Sequence, residues 1–468
     1  MLRGEWSALL WGRPYQSSLE PLIAALATLF LGVRPLSVVL GPILESVAIS
    51  WLAWSLLRRH LPGWPAAVAA LPLVIGVSPL TAPITWGTRN LTGVALLAAA
   101  WLFDRAGTAA ASSREPPAPA QRQLAWLAAG GLLVALSVYL DLYALQLVPA
   151  LLLFGLACAG RSRARVLAVV AGALAGALGV ALLRQGADAG VLRASAGRWQ
   201  HNLSLLVRVC LPETLGSKWH VPGAGLYPDE GGTGLFGTAL KVAGAASLLC
   251  GLASGALLGL RSSAGWPLRR LGLLGAAAAA SSLAAFLPSA MPEDLWSSRY
   301  LVGLLWFAPF ALAPAAAWLG ARRLALALSP WIASATIAAA LWAGVPAALR
   351  PAPFDGLLDE DRALRDFLRE RKVPAATAQY WLSYKLAYLF AEDPVVVPLS
   401  PNDDRYAPWR ATFESAAQVA YLFHTREPRA RASDLIESLR RAHAGYEVRS
   451  VGGYTVVVLS RTAAPPAR

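Results

Sequence analysis

The sequence predicts a mainly α-helical protein that crosses a membrane about ten times and ends in a small extracytoplasmic α/β domain. Hydrophobic residues make up 56% of the 468-residue chain and charged residues 15%, a balance typical of integral membrane proteins. Apolar runs recur along residues 1–350, whereas strand-like and amphipathic segments are confined to residues 351–468. We therefore predict a transmembrane helical bundle over 1–350 and a soluble domain over 351–468.

Each span is predicted from an apolar run that is long enough, or nearly so, to cross about 30 Å of hydrocarbon. Residues 20–33 form a further apolar stretch that is shorter than a membrane span normally requires. The ten runs are 36–57, 64–82, 86–103, 124–138, 140–158, 166–184, 237–260, 271–288, 300–320 and 324–345.

Arginines fall in every second connection between these runs, which predicts that those connections are cytoplasmic. They are Arg58, Arg59, Arg105, Arg114, Arg122, Arg161, Arg163, Arg165, Arg261, Arg269, Arg270, Arg322 and Arg323. Only Asp104 and Glu115 oppose them. The outer side then carries residues 1–35, a long loop at 185–236, a short loop at 289–298 and everything after about residue 346. The predicted location is the cytoplasmic (inner) membrane, with the C-terminal domain outside.

The amino-terminal segment poses a topological problem. If the run 36–57 is the first span, then residues 1–35, with Arg3, Glu5 and Arg13, must be translocated with no helix before them. One more helix upstream would remove the difficulty. The alternative is that residues 20–33 are themselves the first span, which would place Arg34 in a very tight outer turn.

The net charge of +14 belongs to the membrane part of the chain. Residues 1–350 hold 25 Lys and Arg against 12 Asp and Glu, whereas residues 351–468 hold 16 against 15. Because the excess follows membrane topology, nucleic acid is not an expected partner. Cys158, Cys210 and Cys250 lack paired spacing and are interpreted as packing residues.

The C-terminal segment mixes helical and strand-like patterns. Amphipathic helices are predicted for LDEDRALRDFLRERK and SDLIESLRRAH. Strands or strand starts are predicted for ATAQYW, PVVVPL, AQVAYLF, YEVRSV and YTVVVLS. Tyr380, Tyr384 and Tyr388, with Trp381, form a stripe that either packs a core or binds glycan.

Three segments resemble the C-type (GT-C) polyprenyl-phosphate-dependent glycosyltransferases, especially bacterial relatives of the family 39-type protein mannosyltransferases and aminoarabinose transferases. LRGEWSALLWGRPYQSSLEPLIAALATLFLGVRPLSVVL is similar to their first large outer loop, WGTRNLTGVALLAAAWLF to their fourth-span region and SSRYLVGLLWFAPFALA to a late R-Y-L-x-x-L-x-P helix. The resemblance implies transfer of a sugar from a polyprenyl-phosphate carrier in the lipid bilayer to an unidentified envelope acceptor. It also implies a catalytic Asp upstream of the LRGE stretch, so the chain as written is expected to be inactive or nearly so. The alternative is a non-catalytic membrane scaffold or lipid-linked glycan-binding protein that keeps the same fold.

Two carboxylates on the outer side are the candidate catalytic residues. The resemblance implies an inverting transfer, in which a carboxylate acts as general base on the acceptor hydroxyl. Glu20 starts an apolar helix, where a carboxylate also stabilises the amino-terminal dipole. Asp141 lies in a tight outer connection, where it could instead cap the next helix.

Candidate substrate-binding residues lie on the same side of the membrane. The cationic ones among them suit the phosphate of a lipid-linked donor. For Arg299 and Tyr300 the alternative is anchoring at the membrane interface, and for the loop residues it is simple solvation. The candidates are Glu5, Tyr15, Arg89, His201, Lys218, His220, Arg299 and Tyr300.

No metal site is predicted, and the cofactor requirement stays open. The acid pairs Asp229–Glu230 and Glu293–Asp294 could hold a divalent cation with the donor phosphate. Glu45 lies inside the apolar run 36–57, where a structural role facing the bundle interior is expected.

Overall fold

The computed structural model describes residues 9–10, 13–75, 87–108, 120–185, 196–217, 234–261, 265–348, 358–425, 431–443 and 445–461. A short hairpin, β1 (Leu9–Leu10) and β2 (Arg13–Ser17), precedes the helices. Helix α1 (Leu19–Leu31) ends at Gly32, whose positive φ of 76° suits glycine and whose N–H bonds the Thr28 carbonyl. Helix α2 (Pro35–Arg58) begins on a proline, which fits the first turn of a helix.

Every one of the ten predicted apolar runs contains a helix. After α2 come α3 (Gly63–Val74), α4 (Gly87–Thr108), α5 (Ala120–Leu140), α6 (Val148–Ala159), α7 (Arg163–Leu183), α10 (Gly234–Leu260), α11 (Trp266–Phe286), α12 (Val302–Ala327) and α13 (Ser329–Ala348). Among the described residues, five helical segments are long and apolar enough to cross a membrane: α2, α5, α7, α10 and the continuous segment Leu295–Ala327. The prediction of a multi-pass helical membrane protein is thereby confirmed.

The centre of the bundle is α12. Its side chains Trp306, Phe307 and Phe310 are almost completely buried, together with Phe103 of α4 and Trp331 of α13. Helices α7 and α10 instead leave leucines exposed along their length, as expected of faces in contact with lipid. The helical path of α12 is interrupted at Gly320, which has a φ of 75°.

The long predicted outer loop is partly helical. Helix α8 (Trp199–Leu205) continues through a π-helical turn, Leu206–Cys210, into α9 (Leu211–Thr214). The Asn202 side chain is fully buried and donates to the carbonyls of Phe286, Leu287 and Ser289. This bonding fixes the loop against the end of α11.

The carboxyl-terminal part is the predicted α/β unit. Its five-stranded sheet has the order β4-β3-β5-β7-β6, with β3, β4 and β5 parallel and β7 antiparallel to both its neighbours. The strands are β3 (Ala375–Ala378), β4 (Val395–Pro398), β5 (Gln418–His424), β6 (Tyr446–Val451) and β7 (Tyr454–Ser460), and the helices are α14 (Asp359–Glu370), α15 (Tyr380–Leu389), α16 (Ala407–Ser415) and α17 (Ala432–Arg441). The domain boundary predicted at 350/351 falls outside the described residues.

One predicted strand is wrong in its second half. The strand of ATAQYW stops at Ala378, and Tyr380 and Trp381 open helix α15. The Gln379 side-chain oxygen accepts hydrogen bonds from the backbone N–H groups of Trp381 (2.8 Å) and Leu382 (3.4 Å). This cap starts the helix despite the strand preference of the aromatic residues. Helix α16 was not predicted.

A tyrosine joins the two parts of the chain. The Tyr388 hydroxyl on α15 accepts from the backbone N–H of Arg34 (3.2 Å) and donates to the Arg34 carbonyl (3.0 Å). Arg34 lies between α1 and α2, so the sheet domain contacts the predicted outer side of the bundle.

Candidate functional site

The candidate site is built around Asp141, at the point where α5 ends. The Asp141 side chain is 1% exposed and its Oδ1 accepts from the backbone N–H of Tyr143 (2.9 Å), which caps the 3₁₀ turn Leu142–Gln146. Its Oδ2 accepts from Gln16 Nε2 (3.1 Å) and Arg89 Nε (3.2 Å). The predicted run 140–158 is therefore broken here, and α6 starts only at Val148.

Arg89 enters the site from the first turn of α4. It is 6% exposed, and besides Asp141 it donates through Nη1 to the carbonyl of Arg299 (3.1 Å). Its guanidinium carbon lies 4.9 Å from the ring centre of Tyr143 and 4.8 Å from that of Tyr300. A buried charge is stable only when it is paired and hydrogen-bonded, and Arg89 and Asp141 satisfy each other in this way.

Tyr143 and Tyr300 join the start of α12 to the site. The Tyr143 hydroxyl accepts from the N–H of Gly303 (2.8 Å), and burial raises the pKa of this phenol well above its usual range. Gln146 Nε2 donates to the Tyr300 carbonyl (3.3 Å), and Arg299 Nη2 donates to the Tyr300 hydroxyl (3.1 Å). Both phenols are therefore held by hydrogen bonds beside the arginines.

The candidate site borders a cavity of about 270 Å³ at the predicted outer end of the bundle. Arg89, Asp141, Tyr143, Gln146 and Tyr300 form its polar wall. The rest of the lining is mostly apolar and includes Leu142, Leu145, Phe286, Pro288, Met291 and Pro292. A polar wall facing an apolar one suits a ligand with a charged head and a hydrocarbon tail.

Glu20 lies beside this site in the first turn of α1. Burial, with the nearby carboxylates of Glu45 and Asp141, raises the pKa of Glu20 to about 9. Its Oε2 is buried and has no hydrogen-bond partner among the described residues. At neutral pH Glu20 is therefore mainly a protonated acid.

Glu20→Gln is expected to raise the apparent melting temperature by an amount that grows with pH. In the unfolded chain this carboxyl ionises at its ordinary value of 4.5, whereas in the folded chain it holds its proton until about pH 9. The folded state therefore loses stability as the pH rises between these values, and glutamine removes that loss. Melting curves in detergent between about pH 5 and pH 9 measure the effect. The exposed Glu293→Gln is the control, and a Glu20→Gln shift that does not change with pH would contradict the assignment.

The structure brings together four of the predicted site residues, with Glu20 beside them, and leaves others apart. Asp141, Arg89 and Tyr300 line the cavity, and Arg299 contacts both Arg89 and Tyr300. His201 is exposed on α8 and does not line the cavity. Glu5, Lys218 and His220 lie outside the described residues, and Tyr15 is described only as backbone in β2.

Of the two acid pairs proposed for a cation, the structure describes only Glu293–Asp294. The Asp294 carboxylate accepts from the N–H of Trp296 (3.0 Å) and caps the turn before α12. Asp229 and Glu230 lie outside the described residues. Within the part of the chain that the structure describes, no group of three potential metal ligands is present. Glu45 is 6% exposed inside α2, as its apolar run predicts.

Comparisons with known proteins bear on the fold. No protein-family model matches the sequence, and no curated protein matches it by sequence. By structure, the chain is similar to ArnT from Cupriavidus metallidurans in the apo state, with a TM-score of 0.54 and 13% identity over 99% of this chain and 92% of that one. The same protein bound to undecaprenyl phosphate gives a TM-score of 0.54 at 12% identity over the same shares of the two chains. The chain has the GT-C fold.

The apo oligosaccharyltransferase of Archaeoglobus fulgidus is similar with a TM-score of 0.43 and 12% identity, over 88% of this chain and 62% of that chain. The similarity to ArnT, at 12–13% identity, shows the fold and leaves the chemistry to the site itself.

Proposed function

We propose that the protein is a membrane glycosyltransferase that moves a sugar from a polyprenyl-phosphate carrier to an envelope acceptor on the outer face of the cytoplasmic membrane. The observation that carries the proposal is Arg299. Among the described residues no carboxylate forms an ion pair with it, and its Nε is buried without an acceptor. An arginine left without an anion beside a cavity with an apolar wall is suited to a lipid phosphate.

In this proposal Arg89 and Arg299 have different roles. Arg89 is held by Asp141 and keeps Tyr143 and Tyr300 in place, so it shapes the cavity and adds positive charge to it. Arg299 supplies free N–H donors to the phosphate oxygens. During transfer the bond from the sugar to the carrier phosphate breaks while a bond to the acceptor oxygen forms, and the charge that develops on the departing phosphate is stabilised by these guanidinium groups.

The acceptor hydroxyl must also lose its proton. Asp141 accepts three hydrogen bonds, one of them from a guanidinium, so both of its oxygens are already engaged and its function is to position Arg89. Glu20 has a raised pKa and an oxygen without a hydrogen-bond partner among the described residues, so in its ionised form it can accept the proton of the acceptor hydroxyl. We therefore assign the general-base role to Glu20.

Arg299→Gln is expected to weaken binding of undecaprenyl phosphate by about 10-fold or more, since a charge-assisted hydrogen bond contributes about 1.5–3 kcal/mol. The binding is measured on the purified full chain in lipid nanodiscs. Arg323→Gln, an exposed arginine at the opposite end of the bundle, is the matched control and should leave binding unchanged. Equal binding by the Arg299→Gln variant and the unmodified protein would refute the assignment.

The hydrogen bonding of Asp141 and the protonation of Glu20 favour a second function. Of the two candidate catalytic carboxyls, Asp141 is engaged by three donors and Glu20 holds a proton at neutral pH. Such a site could bind a lipid-linked glycan without consuming it. Incubating the full chain with a polyprenyl-phosphate-linked sugar and a cell-envelope extract that supplies acceptors separates the two functions, because a binding protein retains the lipid intact whereas a transferase releases polyprenyl phosphate as the sugar passes to the acceptor.

A further inference from the structure

The opposite end of the bundle carries a buried cluster of charge. Asp104, near the end of α4, is 1% exposed. Its carboxylate lies 3.1 Å from Arg59 Nη1, 2.9 Å from His60 Nε2 and 4.0 Å from Arg270 Nη2. We call these four residues the Asp104 cluster. They tie together the end of α2, the end of α4 and the start of α11.

The cluster holds more positive than negative charge. One carboxylate faces two arginines and a histidine, and Arg270 is 4% exposed although its closest contact with Asp104 is a long one. The Nε atoms of Arg270 and of its neighbour Arg269 are buried without an acceptor among the described residues. A buried guanidinium with unmatched donors is costly, and among the described residues Asp104 is the one carboxylate that these contacts give the cluster.

Tryptophans lie against three arginines at this end of the bundle. The guanidinium of Arg105 lies 4.9 Å from the ring centre of Trp101 and 4.8 Å from that of Trp126. Those of Arg269 and Arg270 lie 6.0 Å and 5.9 Å from Trp266, which is 54% exposed. Indole rings prefer the level of the lipid headgroups, so these arginines lie at the depth where lipid phosphates are found.

We propose that Arg105, Arg269 and Arg270 bind the phosphate headgroup of an anionic phospholipid against the Asp104 cluster. The guanidinium groups supply N–H donors to the phosphate oxygens, and the exposed indole of Trp266 provides an apolar surface for the adjoining glycerol and acyl chain. Asp104 keeps the cluster assembled when the lipid is absent. This site is separate from the outer cavity and does not depend on the proposed function.

The experiment uses the full chain in detergent, with phosphatidylglycerol, phosphatidylcholine or sodium phosphate added back and the melting temperature measured. Phosphatidylglycerol is expected to raise it in a saturable way, whereas phosphatidylcholine and inorganic phosphate are not. Arg105→Gln and Arg269→Gln should each weaken the response to phosphatidylglycerol by about 10-fold. Both side chains are more exposed than Arg270, so these variants are expected to fold.

Arg323→Gln, on the same predicted side but outside the cluster, is the control and should respond as the unmodified protein does. Equal stabilisation by phosphatidylcholine would overturn the proposal by showing that the headgroup charge is irrelevant. Stabilisation by inorganic phosphate alone would overturn it in favour of a free-anion site. An equal loss of response in Arg323→Gln would also overturn the proposal, because the lipid would then be attracted non-specifically by surface charge.

Discussion

Arg89→Leu is expected to destabilise the protein by about 3–5 kcal/mol, because it leaves the buried carboxylate of Asp141 without its cation. Asp141 is 1% exposed, and a leucine at position 89 offers its carboxylate no replacement donor. Tyr143 and Tyr300 would also lose the guanidinium that lies against both rings. The measurement is the loss of folded protein on heating in detergent, followed by size-exclusion chromatography.

The double variant Arg89→Gln with Asp141→Asn separates the cost of an unpaired charge from the value of the pair. Both partners become neutral and can still hydrogen-bond, so at least half of the stability lost in Arg89→Leu should return. Arg323→Leu removes an exposed arginine of the bundle and should have little effect on melting. A double variant as unstable as the sum of its single variants would contradict the buried-pair interpretation.

The composition of the site was partly predictable because charge in a membrane protein is sparse. The alternation of arginine-rich connections placed Asp141, Arg89, Arg299 and Tyr300 on one predicted side, and the structure brings these four together. Pattern alone could not show that Arg89 pairs with Asp141. These residues are 52 positions apart in the chain, and only the packing of α4 against α5 joins them.

The uncharged members of the site were missed. Gln16 reaches Asp141 through a single antiparallel bridge from β2, and Tyr143 is held by the N–H of Gly303. Amide and phenol side chains are common in outer connections, so these residues do not stand out in the sequence as the sparse charged residues do. The position of Tyr143, two residues after Asp141, was the one local cue, because an aspartate that caps a turn bonds the N–H two residues ahead.

The sheet domain shows the same division between local and distant information. YEVRSV and YTVVVLS alternate in the manner of strands, and both are strands with the predicted bounds. QYW also contains residues that favour strands, yet the Gln379 cap decides for a helix. A cap of one side chain is a small energetic term of about 1 kcal/mol, which is enough where strand and helix preferences nearly balance.

The glycines of α7 differ in how closely they pack against α5. The segment AGALAGALGV contains Gly172, Gly176 and Gly179, which look alike in the sequence. In the structure a Cβ on Gly172 would overlap the backbone carbonyl of Ala128 on α5, whereas a Cβ on Gly179 would have nothing within 4 Å. Small residues allow helices in membranes to approach until their backbones touch, so Gly172 sets the distance between α5 and α7.

Gly172→Ala is therefore expected to destabilise the protein by about 1–3 kcal/mol, as an overpacked core does. The obstacle is backbone rather than the end of a flexible side chain, so α5 and α7 must separate to make room. Gly179→Ala makes the same chemical change on the same helix without a clash, and it is expected to be neutral or to stabilise by up to about 1 kcal/mol through helix propensity. Melting temperatures of the two variants in the same detergent compare packing with propensity directly. Equal melting temperatures would show that α5 and α7 are not in contact through their backbones, whereas a lower value for Gly172→Ala alone would locate the contact at Ala128.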